Sequence, residues 1–327
     1  MTAPTTSATQ TVAALGEGVT PTRPTFLGMV RSELQKTGWR RAVWFSLLGI
    51  GLLMLLLNGI TYFFVINALT NPPTSGAPGQ PPAPVIPATA IPYMMTTLLL
   101  SNVREYSGLV VAILTVLLIS VEYQLGTIRI VLARGVGRIR LLVSKFVALL
   151  IAGLIALLVI LGLNVLELIV AAAAQGQSDA LLGHIPGYLW SDAGAYLLTI
   201  LYNLVVTMLL AAFITVLSRS LAFGLVGALA YWFAEGIVST ILQGVAGATQ
   251  NKAWSDVTHY FLGTNLSNLA STVLPRRDLP DLSAAFGGGS AGGAPFDATH
   301  AIVVTLIYSA IFLGVSLYLT WKRDVLQ

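Results

Sequence analysis

From Val43 to Leu69 the chain carries no charged residue, and within that stretch LLGIGLLMLLL is almost unbroken hydrocarbon. Roughly 20 such residues are enough to cross a bilayer core, where only a helix or a closed barrel satisfies its own backbone hydrogen bonds. A barrel strand would alternate over about ten residues, which this run does not. Similar runs recur to the C-terminus. Only 9% of the 327 residues are charged and 56% are hydrophobic, whereas about 25% of a soluble domain is charged. A soluble fold needs a polar surface that this chain cannot supply, and its mean hydropathy is +0.82. We expect an all-α integral membrane protein.

Six spans are predicted, at about 43–69, 106–123, 142–172, 192–218, 221–245 and 301–321. Asn71-Pro72-Pro73 stops the first, and the Pro-rich, uncharged stretch 71–92 reads as an extended loop. Before the second span, Arg104-Glu105 argues against one helix running from Tyr93. The lead-in IPYMMTTLLLSN is therefore read as a separate re-entrant or interfacial piece. Ser191-Asp192 reads as an N-cap pair for the fourth span, which ends at Arg219. Residues 1–22, Thr/Ala-rich, read as a disordered cytoplasmic tail, and 23–327 as one membrane domain. Ahead of the first span, Phe26, Leu27, Val30 and Leu34 share one helical arc, opposite Ser32, Gln35 and Lys36. That pattern predicts an N-terminal elbow helix lying in the interface.

Orientation follows from the 17 Lys and Arg. With the N-terminus inside, all but Arg104, Lys252, Arg276 and Arg277 fall in inner segments, as the positive-inside rule requires. Both termini are expected in the cytoplasm and the chain in the cytoplasmic membrane. The sequence pI near 9.4 is a topology signal, since the basic residues are divided among segments separated by spans; no nucleic-acid partner is expected. There is no cysteine, hence no disulfide or thiolate metal site. His184, His259 and His300 lie in three separate segments without ligand spacing, so no metal site is predicted. H-E-x-x-H does not occur, and G-x-S-x-G is matched only by Gly288 to Gly292 inside the glycine-rich run FGGGSAGG.

Two membrane acids stand out. Glu235 lies near the middle of the fifth span, where a carboxylate is expensive unless it faces protein or water. It is a candidate for a substrate path or proton uptake, or for a structural hydrogen bond to a neighbour such as Asn203. Glu167, with Asn164, lies toward the outer end of the third span. Glu235, Asn203 and Glu167 are the candidate substrate-path residues.

Positive charge concentrates in VEYQLGTIRIVLARGVGRIRLLVSKF, residues 121–146, where Arg129, Arg134, Arg138, Arg140 and Lys145 face one acid, Glu122. Topology alone needs only a few of them. Gly126-Thr127 allows a tight turn out of the bilayer, IRIVLAR can form a short surface helix, and Gly135 and Gly137 break it. Such a helix, held between two spans, suits docking into a cytoplasmic partner.

The pattern Glu122, Gly126-Thr127, Arg129, Leu132, Arg138, Leu141-Leu142, Lys145 resembles the cytoplasmic signature of ABC type-2 exporter permeases. Gly135-Val136-Gly137 departs from it, where that family often has Pro and Ser. The layout is also similar: an elbow helix, six spans, both ends inside and a larger outer loop before the last span. The resemblance implies a transmembrane subunit that pairs with a second copy or a paralogue. It also implies a cytoplasmic coupling helix between spans two and three, on which separate ABC ATPase subunits dock. Glu122, Gly126, Thr127, Arg129, Arg134, Arg138 and Lys145 would couple the two. ATP and Mg would be held by the partner and no cofactor by this chain, which has no G-x-x-x-x-G-K-[ST] loop. The alternative is a self-contained secondary transporter or channel, which predicts several intramembrane charges, broken spans and repeated halves. A membrane anchor or assembly factor is a third reading.

Overall fold

A computed structural model of the chain describes residues 25–70, 91–124, 137–179, 187–273 and 297–322. Among these residues the regular structure is helical, with no strand. In chain order the helices are α1 (Phe26–Trp39), α2 (Arg41–Thr70), α3 (Ile91–Gln124), α4 (Arg138–Ala174) and α5 (Tyr188–Ser218), then α6 (Leu221–Thr249), α7 (Ala253–Thr258), α8 (Leu262–Val273) and α9 (Ala298–Lys322). Six of them, α2 to α6 and α9, are long and apolar enough to cross a membrane, the architecture of a multi-pass membrane protein. The tail over 1–22 lies outside the described residues, as do 71–90 of the Pro-rich loop and the surface helix expected between Gly126 and Gly135.

The spans are not equivalent. In its most apolar stretch α3 is 72% buried and α5 67%, against 17% for α2 and 12% for α6. The other four spans surround α3 and α5, which pack on each other more extensively than any other pair. Val103, Val111, Val116, Ile200, Leu204 and Val206 fill that seam and are almost wholly enclosed. Gly224 brings α6 close to it. A Cβ at this position would stand 2.8 Å from Val116 Cγ1 and 3.0 Å from Thr215 Oγ1, so the small residue sets the spacing of three helices. Ala228, four residues on, is buried in the same contact.

One sequence expectation fails at α3. The lead-in IPYMMTTLLLSN is continuous with the span, in a single helix of 34 residues, about 50 Å long at 1.5 Å per residue. Arg104 does not break it because its guanidinium lies inside the protein. Its Nη1 donates to Ser267 O at 3.2 Å and its Nη2 pairs with Glu105 Oε1 at 2.6 Å. At α5 the expected cap is also displaced: the helix begins at Tyr188, and the Ser191 hydroxyl donates back to Tyr188 O at 2.8 Å. Arg219 closes α5 as predicted, in the left-handed region at φ 53°, its N–H donating to Thr215 O.

Cross-helix contacts fix which helix ends lie together. Lys36 of α1 meets Glu122 near the end of α3, and Arg138 at the start of α4 donates to Trp321 O near the end of α9. These define one end of the bundle, where the chain between α3 and α4 leaves it. Toward the opposite end Arg104 holds α8, and His300 Nε2 contacts His259 O at 3.1 Å.

Candidate functional site

α1 is short, and its buried face is Met29, Val30, Glu33 and Thr37. That face is rotated about a sixth of a turn from the predicted apolar arc, leaving Leu27 exposed. The reason is electrostatic. Glu33, only 1% exposed, points inward to join a closed ring of four charges drawn from three helices. Lys36 Nζ lies 2.7 Å from Glu33 Oε1 and 3.1 Å from Glu122 Oε1. Lys145 Nζ lies 2.8 Å from Glu33 Oε2 and 3.0 Å from Glu122 Oε1. Two acids and two bases alternate, so the ring is neutral and each charge has two opposite neighbours. Such mutual pairing is what makes a buried charge tolerable.

The ring also tunes its members. Burial alone would raise the Glu33 carboxyl, but the attraction and hydrogen bond of Lys145, with those of Lys36, hold it below its ordinary value. Burial alone would lower the Lys36 ammonium, but its hydrogen bond to Glu33 and the attraction of Glu122 hold it above the ordinary lysine value. Both shifts favour the charged forms. Below the ring, Arg40 Nη1 donates to Leu117 O at 2.9 Å, fastening the α1–α2 junction to α3 as well.

These contacts place two of the expected coupling residues inside the bundle. Glu122 and Lys145 are sequestered, 3% and 4% exposed, and they pair within the chain instead of presenting charge to a partner. A carboxylate and an ammonium at neighbouring ends of adjacent spans neutralise each other more effectively than they could across a wet interface. Arg138 remains half-exposed at the start of α4, donating to Trp321 O at 3.2 Å. Gly126, Thr127, Arg129 and Arg134 lie outside the described residues. Glu33 was missed in the sequence, although it falls beside Phe26 and Val30 on the helical wheel. A lone acid on an apolar arc, three residues before a lysine, is the signal that could have found it.

The three candidate path residues have separate surroundings, and no hydrogen bond joins them among the described residues. Glu235 of α6 does not meet Asn203. Its Oε1 accepts from the Thr264 backbone N–H at 2.7 Å, in the first turn of α8, and from Thr264 Oγ1 at 3.3 Å. A carboxylate suits that place because the first amides of a helix lack intrahelical partners and carry partial positive charge. Gly263 lets it approach: a Cβ there would lie 2.9 Å from Glu235 Oε1. Glu235 is 14 residues before Thr249, the last residue of α6, about 21 Å along the helix. The chain after α6 therefore reverses, at Gln250 with φ 53°, and folds back to the level of Glu235 before α8 begins.

Asn203 is enclosed in α5, and its Nδ2 has no hydrogen-bond partner among the described residues. Glu167 lies against Gly59 of α2, where its Oε1 is 3.1 Å from a Cβ position. Asn164, one turn earlier, is buried and not at a wet boundary. Its Oδ1 accepts from Asn58 Nδ2 at 2.8 Å and from Tyr62 OH at 3.4 Å, a polar clasp between α2 and α4.

No known family model matches this chain, and no curated protein matches it.

Proposed function

We propose that this chain is the membrane-embedded subunit of an ATP-driven exporter of the ABC type-2 kind. It acts with a second permease chain and with separate ATPase subunits docked on residues 125–136 from the cytoplasm. The observation that carries the reading is the position of the ion ring. Glu122 and Lys145 sit at the two roots of that connection, and Glu33 and Lys36 tie both roots to α1. A push on the connection therefore reaches α1, α3 and α4 as one body, while α3 is the most enclosed of the six spans among the described residues. Movement of that body against α5 repacks the central seam, the kind of discrete shift that opens a path.

In this scheme the basic residues of 121–146 have two tasks. Glu122 and Lys145 brace the lever from inside. By the motif, Gly126, Thr127, Arg129 and Arg134 face the partner. Glu235 supports the same reading by what it does: its Oε1 holds the first turn of α8, a structural use of a membrane acid.

The test is purification in mild detergent from cells expressing the wild type or a chain lacking residues 124–137. An ATPase that co-purifies with the first and not the second supports the proposal. Substrate movement by the purified chain alone, driven by an ion gradient, overturns it.

A further inference from the structure

Where α1, α4 and α9 come together, an open cleft of about 720 Å3 is lined by Phe26, Arg138, Ile139, Arg140, Val143 and Trp321. We propose that it seats the phosphate of an anionic phospholipid belonging to the leaflet at which α4 begins.

Charge comes first. Arg138 and Arg140 both line the cleft, and no carboxylate lines it among the described residues. Lys322, one residue beyond Trp321, is turned onto its own helix, donating to Tyr318 OH at 2.7 Å and lying 5.2 Å from the centre of that ring. Arg138 donates Nη1 to Trp321 O, and both residues line the cleft. Arg140 is exposed and has no hydrogen bond or ion pair within the chain among the described residues. The planar Arg140 guanidinium matches the oxygens of a phosphate, and Arg138 adds positive charge beside it.

Depth identifies the phosphate as a lipid's. Arg138 lies seven residues before Lys145, about 10 Å nearer the end of the bundle, which puts the two arginines at headgroup level when the ring sits at the hydrocarbon edge. Trp321 and Ile139 are exposed beside them, and Val143, one turn deeper on α4, is exposed as well. An indole at the polar boundary with aliphatic side chains beneath it is the arrangement that accommodates a headgroup and the first methylenes of its chains. A free phosphate would gain nothing from Ile139 and Val143. The inference needs only that the helices span a bilayer, and it stands or falls separately from the exporter reading.

The experiment uses the full chain reconstituted in vesicles of equal parts phosphatidylglycerol and phosphatidylcholine, re-extracted, with retained lipid counted by native mass spectrometry. Wild type is expected to retain phosphatidylglycerol over phosphatidylcholine. Arg140→Gln should lower that preference about fivefold, as the loss of one interfacial cation predicts. The pair Arg138→Gln with Arg140→Gln should abolish it, while Arg31→Gln on the exposed side of α1 leaves it intact. Because Arg140 has no partner within the described chain, the single variant reads binding even where the double variant unfolds. Equal retention of the two lipids by wild type overturns the proposal. So does an undiminished preference in Arg140→Gln, or displacement of the lipid by millimolar inorganic phosphate.

Discussion

Each member of the ion ring is stable only because the others are charged. Removing Lys145 leaves the enclosed Glu33 and Glu122 to share the half-exposed Lys36 as their remaining ring cation. Lys145→Met should therefore destabilise the detergent-solubilised protein by about 3–5 kcal/mol, the usual cost of stranding a buried charge. Adding Glu33→Gln to Lys145→Met should cost less than the sum of the singles, with a coupling of about 1–3 kcal/mol in a double-mutant cycle of thermal unfolding. Strict additivity would mean that the ring is not a unit. The pH dependence has a definite sign. Glu33 is held below its ordinary value of 4.5, so the stability it contributes is complete above that pH and is lost as pH falls through the depressed folded value. Melting temperature should decline below about pH 4.5, and less steeply in Glu33→Gln. The raised Lys36 works the other way: its contribution is complete below the ordinary lysine value of 10.5 and fades above it. Around neutrality Glu33 and Lys36 both stay charged. The sequence pointed to Glu122 and Lys145 through a local motif, but their partners on α1 lie far away along the chain. Pairing at that separation leaves no periodic trace, and only the misfit of Glu33 on its arc hinted at it.

Among the elements, α3 and α8 depart most from sequence expectation, and for one reason. A polar group inside a span reads as a break when hydrocarbon is the assumed neighbour, yet here the neighbour is a helix that folds back from the far end. Arg104 and Glu235 both face α8, and each looked anomalous only because α8 was not foreseen. Its own pattern was visible: Leu262, Leu266 and Leu269 recur at helical spacing and are all buried. If Glu235 holds the first turn of α8, Glu235→Ala should cost about 1.5–3 kcal/mol, the range for hydrogen bonds to a charged group. Hydrogen exchange should rise across 262–273 and stay unchanged in α5; unchanged exchange in α8 would remove the capping role. Close packing at α6 gives a sharper contrast. Gly224→Ala forces a methyl against Val116 and Thr215 and should destabilise by about 1–3 kcal/mol. Gly244→Ala, in the same helix with nothing within 4 Å of its Cβ position, should be neutral or stabilising by about 0.5 kcal/mol. Thermal unfolding of the two variants side by side checks both.

For the whole molecule, the number of spans was legible because apolar runs of this length have no other stable fate. Which spans lie inside was not: α3 and α5 are no more apolar than α4, and their burial depends on neighbours instead of on composition. The packing in turn fixes which helix ends share a side, joining the start of α1, the connection after α3 and the end of α9. Sidedness itself comes from charge. Lys and Arg crowd the end that carries the ring, and the positive-inside rule predicts that this end faces the cytoplasm. Because the chain contains no cysteine, a single introduced thiol reports one position without background. Gln35 on α1 and Lys252 before α7 are both exposed, at opposite ends of this scheme. In intact cells, a membrane-impermeant maleimide should label Lys252→Cys and leave Gln35→Cys untouched, and permeabilisation should make both reactive. The reverse pattern would put the ring and the arginine-rich connection outside, beyond reach of any ATP-driven partner, and the coupling role proposed for residues 125–136 would fall with it.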